Sequence, residues 1–221
     1  EIAEIGEDDG PGHSGTPWRR LLGLPQLWLI GIAYFFYAFG SWFYFGWFSQ
    51  WLVNGRGFSQ SEMAFYAAIP FLLGIVSNLI GGVLSDRIGA RIGYKLAYRL
   101  ITGICLAVTA LLLLAMSVTH DKIMVVLLAA TSFAVMDLML PSAWAMCMSI
   151  GGRFGGTATG FMNMLGNLGG FVGVVATGYI IAGTASYDLP VQGVALMVLI
   201  AAGLFALIDS SKGFDQKAAT A

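Results

Sequence analysis

Long apolar runs separated by short polar stretches dominate the chain, and within the runs no regular alternation of polar and apolar positions appears. Six runs stand out, at residues 27–53, 63–84, 96–118, 123–148, 157–182 and 191–208. Each is near the ~20 residues a helix needs to cross ~30 Å of hydrocarbon. The stretch GICLAVTALLLLAM is apolar all round, whereas a barrel strand would run for about ten residues of alternating polarity and a water-facing helix would keep one polar side. In lipid every backbone N–H and C=O needs a partner within its own segment or barrel, so runs of this length predict helices. The connections NGRGFSQSE, SDRIGARIGYK, THDK, GGRFGG and ASYDLP are short and rich in turn formers. The expected organisation is a linker over residues 1–26, a six-helix transmembrane domain over 27–210 and a tail over 211–221.

Composition agrees with lipid as the surrounding solvent: 57% of residues are hydrophobic and only 10% are charged, too few to cover a water-soluble globule of 221 residues. A net charge of -1 excludes the global basic field of a nucleic-acid binder. The distribution of charge says more. Arg19, Arg20, Arg87, Arg91, Lys95, Arg99, Arg153, Lys212 and Lys217 fall at one end of the helices, and only Arg56 and Lys122 at the other. Basic residues in short loops stay on the cytoplasmic side, so the expected topology has both termini in the cytoplasm of a multi-pass protein of the cell (inner) membrane. Trp18 and Trp28 sit where an interfacial aromatic belt would hold them. The opening EIAEIGEDDGPGHSGTP is acidic, rich in Gly and Pro, and unlike a signal peptide; it reads as a solvated linker from the middle of a longer chain. Three helices followed by three enter the membrane from opposite sides, the arrangement of inverted repeats, although any six-helix chain has this parity.

The loop after the second run, GGVLSDRIGARIGYK, carries a G-x-x-x-D-R-x-G-x-R pattern in Gly82, Asp86, Arg87, Gly89 and Arg91. Glycines permit close helix approach and a tight turn, Asp86 can cap or pair with a neighbouring helix end, and the arginines hold the loop inside. The plainer reading is an ordinary positive-inside loop. With the full pattern the chain resembles the major facilitator superfamily. The segments FYFGWFSQWLVNGRGFS and IGGRFGGTATGFMNMLGNLGG are similar to helices 7 and 11 of that superfamily's anion:cation symporter group. The chain departs from the group at Ser49, where a proline is frequent, at Ser149, where an acidic residue is, and at Val174, near another frequent proline. The resemblance implies an all-α integral membrane fold, a six-helix bundle forming the C-terminal half (helices 7 to 12) of a transporter built as a 3+3 inverted repeat. It also implies a cytoplasmic gating loop of Gly82, Asp86, Arg87, Gly89, Arg91 and Arg153.

Polar residues inside apolar runs are costly and tend to face a cavity or another helix. Asp137, in the middle of the fourth run, is either an ion-coupling or substrate-contact residue or a structural anchor beside Pro141. Asn163 and Asn167, four residues apart, share one helical face, which lines a cavity or bonds to a neighbouring helix beside Gly166, Gly169, Gly170 and Gly173. Tyr34, Tyr37, Ser41, Tyr44 and Phe48 form an aromatic stripe at helical spacing, by default lipid-facing or core. The resemblance favours Asn163 for substrate contact and brings Tyr37 and Tyr44 toward the central cavity; Asn78 is the remaining candidate. Cys105 and Cys147 read as small buried hydrophobes. No phosphate loop, H-E-x-x-H or nucleophile elbow occurs, and His13 and His120 lie in a linker and a loop. No cofactor, metal or enzymatic activity is expected. The expected function is secondary transport of a small organic anion, such as a sugar acid or carboxylate, by alternating access coupled to H+ or Na+, with an N-terminal six-helix half as partner and no nucleic acid. A facilitator or efflux transporter of another branch, and a membrane-embedded enzyme or assembly scaffold, are the alternatives.

Overall fold

The computed structural model describes residues 16–215. The acidic opening stretch, His13 and Lys217 lie outside the described residues. Among the described residues ten α-helices make the bundle: α1 Trp18–Leu21, α2 Pro25–Gly46, α3 Phe48–Gln50, α4 Gln60–Tyr66, α5 Ile69–Ile92, α6 Tyr94–Val118, α7 Lys122–Leu138, α8 Leu140–Gly151, α9 Gly155–Thr184 and α10 Asp188–Leu207. Five continuous helical stretches among the described residues are long and apolar enough to cross a membrane. One of them, Lys122–Thr184, has 63 residues, or ~95 Å at 1.5 Å per residue, three times the hydrocarbon thickness. It turns back at Gly152, whose φ of +53° suits glycine, and so makes two crossings. The bundle therefore has six spans: α2 and α3, α4 and α5, α6, α7 and α8, α9, and α10.

Local chemistry sets the ends of these elements. Pro25 opens α2 at a position where its missing N–H is not needed. Ser59 and Glu62 form a reciprocal capping box at the start of α4, with Ser59 N donating to Glu62 Oε2 at 2.7 Å and Glu62 N to Ser59 Oγ at 3.2 Å. The Asp121 side chain accepts from Met124 N at 2.8 Å to start α7. Between Gly46 and Gly55 the first span loosens: Trp47 leaves helical geometry and Trp51–Gly55 form a π-helical turn. The sequence pattern ends the second span at residue 84 and treats the basic segment as a loop. In the structure α5 runs on through Gly89 to Ile92, and Gly93 (φ +88°) makes the turn.

The packing has an internal symmetry. The first span packs most closely on the fifth and the fourth on the second; the third and sixth pair with each other; and the first lies along the sixth as the fourth lies along the third. Exchanging the two triplets leaves this pattern unchanged, and the triplets start at opposite ends, as a 3+3 inverted repeat requires. Both crossed pairs are glycine seams. A Cβ on Gly169 would collide with Phe35 O, and one on Gly173 would lie 2.7 Å from Phe39 O. On the other seam a Cβ on Gly81 would collide with Leu138 O, and one on Gly74 would lie 2.6 Å from the Phe133 ring. Lipid supplies no hydrophobic drive between helices, so backbone-close contact of this kind is what holds them.

Each end of the bundle is tied. At the basic end Lys95 Nζ lies 2.7 Å from Asp209 Oδ1, Arg99 Nε donates to Ile208 O, and Gln26 Oε1 accepts from Asp209 N at 2.7 Å. Hydrogen bonds from Lys95 and Ser211 hold the Asp209 carboxyl below the usual carboxylate range. Phe214 is buried between the Arg20 guanidinium and the Phe154 ring. At the opposite end the Arg56 side chain, 1% exposed, pairs with Asp188 at 2.7 Å, stacks on Trp51 and donates to Met116 O and Ser117 O. It thereby joins the first, third and sixth spans.

Replacing Gly169 by Leu forces the first and fifth spans apart, and thermal unfolding in detergent is expected to show a loss of about 1–3 kcal/mol or more. Gly203→Ala, whose Cβ would meet nothing within 4 Å, is the control and leaves stability equal or slightly higher.

Candidate functional site: a polar cleft between the first, second and fourth spans

Asp137 falls halfway along the fourth span, one residue before α7 ends and four before Pro141. Its carboxylate reaches into space that Gly74 leaves open: a Cβ at position 74 would lie 2.9 Å from Asp137 Oδ2. Asn78, one turn along α5 from Gly74, donates from Nδ2 to Asp137 O at 3.5 Å, a long contact. The two polar residues share an open cleft of about 410 Å³ with Phe45, Phe71, Gly74, Ile75, Leu79 and Phe133. Its wall is aromatic: Phe71 packs edge-on against Phe133 at 5.1 Å between centroids, and Phe45 tilts against Phe71 at 5.0 Å. A carboxylate and a carboxamide opening into an otherwise apolar cleft at mid-span can exchange a proton or bind a small cation, and can orient a hydrogen-bonding solute.

Tyr44 stands behind this wall. Its ring packs on Phe133 at 4.8 Å, and its hydroxyl is 2.6 Å from Ser132 Oγ and 3.4 Å from Ala129 O. That hydroxyl is buried and already partnered, which at this depth satisfies a group that lipid would not. Tyr37 is also buried, its ring tilted against that of Tyr34 at 5.0 Å between centroids. Neither tyrosine lines the cleft. Asn163 and Asn167 are exposed on α9, and Asn167 Nδ2 donates to Asn163 O, its own helix, at 2.9 Å. Their face flanks the glycine seam, so the structure separates this pair from Asp137 and Asn78.

The basic motif lies at the end of α5, away from the cleft. The close approach expected of its glycines falls on Gly81, while Gly82, about 100° further round the helix, faces open space. Gly89 accommodates the Tyr94 ring. Asp86, Arg87 and Arg91 are exposed and form no ion pair among the described residues. Arg153 stacks over Phe154 at 5.0 Å and Phe214 at 5.7 Å. His120 is exposed, and no group of three possible metal ligands occurs among the described residues.

Sequence reasoning found Asp137 and Asn78 but passed over Phe71, Gly74 and Phe133, which shape the cleft. Gly74, Asn78 and Gly81 follow i, i+4, i+7 spacing on one helical face, a signal available in the sequence. The pairing of Arg56 with Asp188, 132 positions apart, left no such signal.

An all-helical bundle of membrane-length apolar spans with a cleft at mid-depth defines a multi-pass integral membrane protein. The chain belongs to the major facilitator superfamily, whose profile matches residues 3–174. It is 36% identical over 212 residues to a probable sulfoacetate transporter of Cupriavidus necator, covering 93% of this chain and 49% of that protein. It is 28% identical to the hexuronate transporter of Bacillus subtilis, covering 85% and 45%. To a probable galactarate/D-glucarate transporter of Escherichia coli it is 25% identical, covering 83% and 41%. The chain thus spans about half the length of these curated relatives. By their names these relatives carry organic anions.

A cysteine placed at Asn78 is expected to react with a water-soluble thiol reagent at least about tenfold faster than one placed at buried Ala129, since reaction follows access of the thiolate to water. Equal rates would mean that the cleft is closed to water.

Proposed function

We propose that the chain is the C-terminal six-helix half of a secondary transporter that carries a small organic anion, a sugar acid, carboxylate or sulfonate, by alternating access. Both chain ends of this half lie in the cytoplasm, the membrane is the cell (inner) membrane, and a second six-helix half completes the translocation path. The observation that carries the reading is the meeting of Asp137 and Asn78 in one cleft at mid-span, the depth at which alternating-access proteins hold their cargo. Relatives that carry sulfoacetate, hexuronate and glucarate support the substrate class.

In this reading Asp137 holds the coupling ion, H+ or Na+, and Asn78 fixes its orientation or meets the substrate. Tyr37 and Tyr44 support the cleft from behind, while Asn163 and Asn167 face the missing half across the central cavity. The anion's cationic partner comes from that other half. Gly82, Asp86, Arg87, Gly89, Arg91 and Arg153 gate the cytoplasmic end as the halves rock. A ligand shifts such an equilibrium only by binding one state better than the other, and a carboxylate whose charge changes with ion binding does this.

Replacing Asp137 by Asn in the intact transporter, reconstituted in vesicles, is expected to abolish gradient-driven accumulation while exchange of internal for external anion continues. Accumulation at the unmutated level would remove Asp137 from coupling. Failure of the unmutated protein to move any organic acid, with or without a pH or sodium gradient, would overturn the transport assignment.

A further inference from the structure

A second cavity lies beside the Asp137 cleft, between the first and second spans and nearer the Arg56 end of the bundle. It measures about 140 Å³ and is lined by Ser49, Gln50, Val53, Asn54, Gln60 and Met63. Four of these six residues are polar and uncharged. In the first span, Ser49 and Val53, and Gln50 and Asn54, are i, i+4 pairs and so share one face; Gln60 and Met63 face them from α4. Phe45, which lines the cleft, is one helical turn before Ser49, or ~6 Å along the axis. The two cavities are therefore successive stations between the first and second spans.

The backbone here is irregular. The break at Trp47 and the π-helical turn Trp51–Gly55 keep Trp51, Leu52 and Arg56 buried while turning Asn54 outward. Such single π turns inside helices recur at functional sites. The neighbouring polar groups are committed: Trp51 and Arg56 to Asp188, Ser59 and Glu62 to each other, and Glu62 also to Lys122. By contrast, no protein partner holds the side chains of Ser49, Gln50, Asn54 or Gln60 among the described residues. Glu62 is neutralised by Lys122 and Asp188 by Arg56, so an arriving anion meets little repulsion. Three carboxamides and a hydroxyl offer donors to a carboxylate and both donors and acceptors to sugar hydroxyls.

We infer that this groove is an outer loading subsite for a small hydroxylated carboxylate or similar organic anion, occupied before the anion passes to the Asp137 cleft. The inference rests on the transport function proposed above. Its affinity is low, because neutral donors at a water-exposed site exchange readily with water, and low affinity suits a station that must release its ligand inward.

The test uses the intact transporter in vesicles of known orientation, with labelled hexuronate and labelled sulfoacetate as probes. The double variant Gln50→Ala/Asn54→Ala is expected to raise the KM for the probe offered at the Arg56 face about three- to tenfold, with the maximal rate from that face and the KM at the basic face unchanged. The maximal rate from the basic face is lowered in the same proportion, because a mutation cannot shift the equilibrium across the membrane. Asn54→Asp, which adds a negative charge without changing size, raises the same KM further and in a salt-dependent way. Transport of a probe with KM unchanged at both faces in both variants overturns the subsite alone. An equal rise at both faces also overturns it, because the residues would then act on the bundle as a whole. Transport of neither probe by the unmutated protein overturns the function it rests on, and the subsite with it.

Discussion

Backbone-to-backbone contact at two glycine seams is the constraint on which this bundle depends. In water, helices associate because apolar side chains leave the solvent; in lipid that gain is absent, and contact must come from close packing and polar bonds. Gly169 and Gly173 let α9 meet the carbonyls of Phe35 and Phe39, and Gly81 lets α5 meet that of Leu138. Each seam joins the second helix of one triplet to the first helix of the other. The two triplets are thereby interlocked, and neither can move alone without opening a seam.

Polar groups at hydrocarbon depth follow from the same scarcity of water. Tyr44 bonds Ser132, Ser142 bonds Ser85, and Thr102 donates to Tyr98 O at 2.7 Å. Against this background of satisfied groups the Asp137 carboxylate has no side-chain hydrogen-bond partner among the described residues and opens into the cleft. Gly74 serves both purposes: it brings α5 close to Phe133, and the side chain it lacks is the space the carboxylate uses. Seam and cleft are made by one helical face, so packing and site cannot be varied independently there.

Much of the architecture was legible because a span of ~20 apolar residues has few alternatives. The class of fold and the six spans follow from run length, and the family from the motif around Asp86 and Arg87 together with the glycine-rich fifth span. Asp137 was visible because a carboxylate inside an apolar run has no inexpensive explanation. What escaped was contact between distant segments. Nothing local in GRGFSQ announces that Arg56 will meet Asp188, and no spacing shows that Asn167 bonds its own helix while Asn78 reaches another. The extension of α5 to Ile92 was missed for a different reason: hydropathy reports where lipid ends, not where a helix does.

The central claim is that the interlocked triplets form one rigid body whose cleft moves as a unit. Spin labels at Ala90 on the second span and Ser149 on the fourth, both exposed and in different triplets, report this through their separation in the intact transporter. The account predicts one distance distribution, the same with substrate absent and saturating. A substrate-dependent shift in that distance would show the seam opening and would contradict it.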